Sequence, residues 1–214
     1  MEQRTTGVVV RVRSFSETSL IVHWLTLDCG RISTFARGAR RPKSAFLGKL
    51  DIYFSAELSY KSAKKGDLHP LAEVAVRESR PRLRTDYAAL RAAAYATAFI
   101  EQMTETDTPL PEIYELFDGF LDHLSSAEPL PRSIYAFELR LLSALGLDFE
   151  VGPRPSPLGQ LIEDLRWLPW SELADLRPGS AEIRDLRQNL SRFILQHCEK
   201  LPPGRGGVVA GEKG

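Results

Sequence analysis

Arg37, Arg40, Arg41 and Lys43 fall within residues 37–44, a stretch that contains no acid. Four cations this close together can neutralise adjacent phosphates, which is the chemistry of a nucleic-acid contact. Gly38 and Pro42 keep the stretch out of a helix and make it a loop. The run before it reads as a strand. Arg31, Ser33, Phe35 and Arg37 share one side, and Ile32, Thr34 and Ala36 the other. Phe35 therefore sits among the cations, where an exposed aromatic can stack a base for roughly 1–3 kcal/mol. Lys49 follows the loop, and Arg11 and Arg13 lie on an earlier strand-like run. Tyr53 and Phe54 are alternative stackers, one of which must face the core. A charge run often only solvates a surface. Here it has no acids to pair with and lies in one loop, which favours a ligand.

Other chemistries lack their residues. The chain has no phosphate-binding glycine loop of the nucleotide-hydrolase type, no Gly-x-Ser-x-Gly and no His-Glu-x-x-His. Glu17, Asp28, Asp51 and Glu57 are scattered rather than clustered as a two-metal nuclease needs. Glu163 and Asp164 are neighbours and point apart on a helix. His23 and His123 lie within a strand and a helix, and His197-Cys198 has no second pair to complete a zinc site. The expectation is a binding protein, not an enzyme, with no metal or cofactor.

The elements that position the basic loop are short strands. Val8, Val10 and Val12 alternate with Val9, Arg11 and Arg13. Residues 18–26 put Leu20, Val22 and Trp24 on one face, and Gly30 suits a tight turn before the strand over 31–37. Strands over 50–60 and 71–77 complete five, with a polar turn over 61–67. Five closely spaced strands suggest an OB-fold, with an SH3-like barrel or a sandwich as alternatives. From residue 82 the periodicity becomes helical: 86–103, rich in alanine, then 112–125, 132–145 and 181–200. The third of these, with Ile134, Phe137, Leu141 and Leu145 on one stripe and Tyr135, Leu139 and Leu142 beside it, reads as central. Residues 150–159 read as an extended linker. Residues 161–176 read as short irregular structure around Trp167, Pro169 and Trp170, packed on the bundle.

Charge follows this division. Residues 1–80 hold 14 Lys/Arg and 8 Asp/Glu, a net of +6, and the rest hold 14 and 20, a net of −6, in a chain of zero net charge. The expected organisation is α+β: an OB-fold nucleic-acid-binding domain over 1–80, a helical bundle over 81–150, a further region over 151–200 and a disordered tail over 201–214. Two distant cysteines, Cys29 and Cys198, point to a reducing compartment. The start lacks the apolar run of a signal peptide, and no segment approaches a membrane span. The expected location is the cytoplasm, in association with the nucleoid.

Three motifs in order resemble the bacterial DNA repair and recombination mediator family RecO over residues 4–150. They are Phe15-Ser16-Glu17-Thr18-Ser19-Leu20; Gly30-Arg31-Ile32 through Ala36-Arg37-Gly38-Ala39-Arg40-Arg41 with Ser44 and Leu47-Gly48-Lys49-Leu50; and Phe137-Glu138-Leu139-Arg140-Leu141-Leu142 with Leu145-Gly146. The resemblance implies an OB-fold followed by a helical domain, and a non-enzymatic protein. Such a protein binds single- and double-stranded DNA, anneals complementary strands and works with RecR. It also implies engagement of the acidic C-terminal tail of single-strand-binding protein (SSB), which helps to load recombinase on coated DNA. Arg132, Phe137 and Arg140 are the candidates for that tail, because a cation beside an apolar groove suits a hydrophobic carboxy terminus. Many family members carry a four-cysteine zinc module after the Leu-Gly helix end. This chain has only Cys198 there, which implies a metal-free variant whose Trp167–Trp170 segment replaces the metal as local core. The competing reading is an OB-fold protein-interaction adaptor without direct DNA binding.

Overall fold

Five runs of alternating apolar residues pair into one barrel: β1 (Glu2–Ser14), β2 (Leu20–Thr26), β3 (Gly30–Ala36), β4 (Ser55–Lys61) and β5 (Leu68–Glu78). The computed structural model describes residues 2–151 and 155–210. The barrel is closed in the order β1-β2-β3-β5-β4. The β3–β5 junction is parallel and every other pairing is antiparallel. This is the closed Greek-key arrangement of an OB-fold, not an SH3-like barrel or an open sandwich. β1 is long enough to serve two neighbours. Its first half pairs with β4 and its second half with β2.

Inside the barrel lie Val9, Val22, Trp24, Ile32, Ala36, Ala56, Leu58, Tyr60 and Val74. The expected alternation in β1 is broken. A bulge between Val9 and Arg11 puts an extra residue into β1, so Val9 and Val12, rather than Val8, Val10 and Val12, meet this core. The fourth strand begins at Ser55 rather than at residue 50. Before it the chain turns: Tyr53 N–H donates to Val9 C=O (2.7 Å), and Val9 N–H donates to Phe54 C=O (2.9 Å), closing the backbone against the bulge.

The chain divides into two compact units, Met1–Pro81 with Thr104–Asp118, and Arg82–Met103 with Gly119–Gly214. Residues 104–118, which the sequence places among the helices, thus group with the barrel. The reason is local. Asp107 N–H donates to Arg31 C=O (3.0 Å), and the Arg31 side chain donates to Thr104 Oγ1 (3.0 Å) and its carbonyl (2.6 Å). Gly30 allows this approach. It has φ 69°, and a Cβ there would lie 2.0 Å from the Thr108 carbonyl oxygen. Arg80, 3% exposed, holds the same unit together by donating to Tyr53 C=O, Ser55 Oγ (2.7 Å) and Asp118 Oδ1 (2.7 Å).

The second unit is built from helices. In chain order the helices are α1 (Arg82–Thr85), α2 (Tyr87–Met103), α3 (Pro111–Ser126), α4 (Pro131–Ala144), α5 (Pro157–Trp167), a 3-10 turn (Trp170–Asp175), α6 (Ser180–His197) and α7 (Arg205–Val208). α3 starts in the first unit and ends in the second. α4 is buried on nearly every side, from Pro131 to Leu142, and packs against α2, α5 and the 3-10 turn. Its broad apolar stripe required this.

Three expectations for the last third are corrected. Residues 161–176 are not irregular. Ser156 Oγ accepts the Gly159 N–H (3.1 Å) and Pro157 occupies the first turn, so α5 is a capped helix that begins inside the expected linker. Residues 152–154 of that linker lie outside the described residues. Trp170 does join a local core, stacking on His123 (5.4 Å) and packing at a tilt against Phe120 (5.2 Å), but Trp167 is 71% exposed. The expected disordered tail is ordered over 202–210, while 211–214 lie outside the described residues. Arg205 is buried against Glu138, with Nε–Oε1 at 2.7 Å and Nη2–Oε2 at 2.9 Å, and Val209 is 3% exposed. Burial is the largest single influence on Arg205 and lowers its pKa, but the charge and hydrogen bond of Glu138, with Tyr95 and Tyr135, together raise it. Burial and the same carboxylate raise that of Tyr95, whose hydroxyl also donates to Glu138.

Candidate nucleic-acid interface

The basic loop is held from below by the turn between β1 and β2. Ser16 Oγ accepts the N–H of Thr18 (3.4 Å) and Ser19 (3.2 Å), shaping that turn. The turn then reaches the loop: Ser19 Oγ accepts Gly38 N–H (3.1 Å), and Thr18 C=O accepts Arg40 N–H (3.0 Å). Gly38 adopts φ 66°, so the chain can double back. Successive tight turns follow, with Arg41 N–H donating to Gly38 C=O and Ser44 N–H to Arg41 C=O. The two motifs in 15–20 and 30–50 are therefore two sides of one hydrogen-bonded structure.

This scaffold leaves Arg37, Arg40, Arg41 and Lys43 exposed, and none pairs with an acid among the described residues. Among the described residues the one bond from these side chains is long, Arg40 Nη1 to Ser16 C=O at 3.4 Å. The cations sit beside a barrel face set by register. Arg13 lies opposite Ile21, and Ile21 opposite Phe35; in the next row Arg11 lies opposite His23, and His23 opposite Ser33. Since Val22, Trp24, Ile32 and Ala36 fill the core, these partners face outward. His23 Nδ1 and Ser33 Oγ are 2.9 Å apart. Phe35 packs edge-on against Phe15, with ring centroids 5.1 Å apart, and Phe15 is 59% exposed.

The structure thus brings together Arg11, Arg13, Phe35, Arg37, Arg40, Arg41 and Lys43. Lys49 is half-buried where the loop returns to the barrel. Arg31 does not join them, because its guanidinium is used by Thr104. Tyr53 and Phe54 are 1% and 5% exposed, so neither can stack a base. Phe15 was missed. Its signal was an aromatic in a polar turn, where no core position explains it. The candidates for the tail also differ from expectation. Phe137 is fully buried and stacks on Phe120 (4.7 Å). Arg140 donates to the carbonyls of Leu165 (3.1 Å) and Leu168 and lies 4.1 Å from the Trp170 ring centroid. Burial lowers its pKa to about 10. Arg132 donates to the carbonyls of Ala174 and Leu176. These two arginines anchor the segment after α5.

Among the described residues no group of three His, Cys, Asp or Glu could hold a metal ion, and no helix is long and apolar enough to cross a membrane. Cys29 and Cys198 are free thiols.

Residues 1–80 match the family model "Recombination protein O N terminal", and residues 84–151 match "Recombination protein O C terminal". A protein named DNA repair protein RecO from Anaeromyxobacter sp. (strain K) is 33% identical over 144 residues, 67% of this chain and 57% of the relative. Those of the same name from Pelobacter propionicus and Xanthomonas oryzae pv. oryzae are 29% and 28% identical, over 67% and 68% of this chain and 58% and 59% of theirs. The matched region thus spans little more than half the length of these relatives. With both family models matched in order, and with a closed barrel followed by a helical unit, the chain belongs to the Recombination protein O (RecO) family.

Proposed function

We propose that this chain acts in DNA repair and homologous recombination as a non-enzymatic mediator that binds single- and double-stranded DNA and anneals complementary strands. The observation that carries this reading is the set of four exposed loop cations with no acidic partner among the described residues, beside the Phe15–Phe35 pair. Cations on a hydrogen-bonded loop neutralise phosphates without closing over the bases. Two strands held this way repel each other less while their base edges stay free to pair. The aromatic pair adds a sequence-tolerant stacking surface for single strands.

The relatives are named DNA repair proteins, and membership of their family supports the rest of the reading. In it, the chain works with RecR, engages the SSB tail and helps to load recombinase on coated DNA in the cytoplasm. On α4 the tail carboxylate would replace backbone carbonyls as acceptor for Arg132 or Arg140, while Phe137 stays inside.

The test is the paired substitution Arg40→Glu and Arg41→Glu. Each phosphate contact to a single strand adds about 0.7 to the slope of log affinity against log salt. Loss of two contacts should flatten that slope by about 1.4 and weaken binding roughly twenty-fold near 0.1 M salt. Unchanged affinity at two salt concentrations would overturn the assignment of the loop. Failure of the unsubstituted chain to bind bare oligonucleotide would leave the adaptor reading.

A further inference from the structure

A cleft of about 560 Å³ opens on the barrel wall formed by β1, β4 and β5, and Ala45, Phe46 and Lys49 of the loop contribute to its lining. Ser59 lines it. This residue is 3% exposed, and its Oγ is buried without a hydrogen-bond partner. Its neighbours Leu58 and Tyr60 face the barrel core, so Ser59 faces the other way. In register, Arg4 lies opposite Ser59 on one side and Glu73 on the other. Neither has an ion pair or side-chain hydrogen bond among the described residues. The row reads donor, hydroxyl, acceptor across three strands spaced about 4.8 Å apart.

Both other acids of the cleft have partners, an ion pair for Glu57 and a neutral hydroxyl for Asp28. Glu57 is held by Arg77 at 2.5 Å, and Asp28 accepts from Thr5 Oγ1 at 3.0 Å. Lys49 is the one further cation in the lining and belongs to the loop that carries the DNA-binding cations. Resting on the DNA-binding reading above, we infer that this cleft reads one unstacked base of a bound single strand and prefers cytosine or guanine. Arg4 donates to the O2 of cytosine, the Ser59 hydroxyl donates to N3, and Glu73 accepts from the N4 amino group. Guanine fits the same row through O6, N1–H and the N2 amino group. Thymine puts the O4 acceptor against the Glu73 carboxylate, and adenine offers Arg4 no acceptor on that edge. Lys49 is placed to neutralise the adjoining phosphate. The hydroxyl left unsatisfied in the free protein is satisfied in the complex, which is the physical advantage of the correct base.

The test uses the full chain with oligo-dC and oligo-dT of about twenty nucleotides, longer than one OB-fold covers, at a pH where cytosine is neutral. Anisotropy should give an affinity for oligo-dC about tenfold higher than for oligo-dT. Glu73→Gln exchanges an acceptor-only group for one that also donates, on an exposed side chain, and should bring the ratio close to one. Ser59→Ala should reduce the ratio without abolishing binding. The readout is the ratio, because loss of the Glu73 charge alone raises affinity for both strands. Equal affinity of the unsubstituted chain for both, or a ratio unmoved by Glu73→Gln, overturns base reading while the DNA-binding assignment stands. No binding of either oligomer overturns both.

Discussion

The arginines of the barrel loop and those of the helical unit are the same residue put to opposite uses. Arg37, Arg40 and Arg41 are exposed, on a loop fixed through its backbone, and no acid among the described residues answers them. Arg132, Arg140, Arg166 and Arg205 have donors committed to carbonyls or carboxylates of their own unit. Net charge by halves, +6 against −6, hides this difference. A guanidinium within a packed unit stabilises chain segments that lack enough apolar area, whereas an unpaired one on a loop remains available to a polyanion.

The comparison breaks most readily at Arg205. Arg205→Met leaves Glu138 buried without its partner and should destabilise the helical unit by about 3–5 kcal/mol in urea unfolding. Adding Glu138→Gln should recover much of that loss. Survival of Arg205→Met at full stability would mean that the buried pair contributes nothing.

Next in size is Trp170. With Phe120, His123 and Arg140 packed on it, Trp170→Ala should cost about 3 kcal/mol. Trp167→Ala should stay within about 0.5 kcal/mol, because that ring is mostly exposed. Equal costs would show that both rings form the local core.

The loop cations should behave in the opposite way. Arg40→Glu with Arg41→Glu should leave the unfolding free energy within about 0.5 kcal/mol of the unsubstituted chain, even though DNA affinity falls. A clear loss of stability would place them with the structural arginines.

The smallest effect concerns His123. Burial, then the nearby Arg140 charge, lowers its pKa below the ordinary 6.5. The unfolded chain therefore takes up this proton first as pH falls. The contribution is fully present above the folded and unfolded pKa values. It is lost as pH drops below about 6.5 towards the lower folded value. Between pH 7.5 and 5.5, His123→Asn should lose less stability than the unsubstituted chain. An equal loss would assign the acid sensitivity to other groups.

Much of the barrel was legible because alternation reports which strand face is buried. Val22, Trp24, Ile32 and Ala36 lie in the core as their spacing requires. The β1 bulge was not legible, since an extra residue leaves composition unchanged and shows only in pairing with β2. The basic loop was visible from its four cations. Removal of Arg31 from it depends on residues 104–108, some seventy positions away. The short glycine-rich tail looked too poor in apolar residues to order. Its order comes with the buried Arg205, which bonds Glu138 and Ser191, and with the buried Pro202 and Val209.

The sequence by itself determined the five strands, the four long helices, the concentration of cations in one loop and the family, because these depend on local spacing and composition. Only the tertiary structure decided which cations lack partners among the described residues, which aromatics face solvent and that Ser59 lies between Arg4 and Glu73. Each of these depends on partners brought from distant parts of the chain, and desolvation and hydrogen bonding act only once those partners meet.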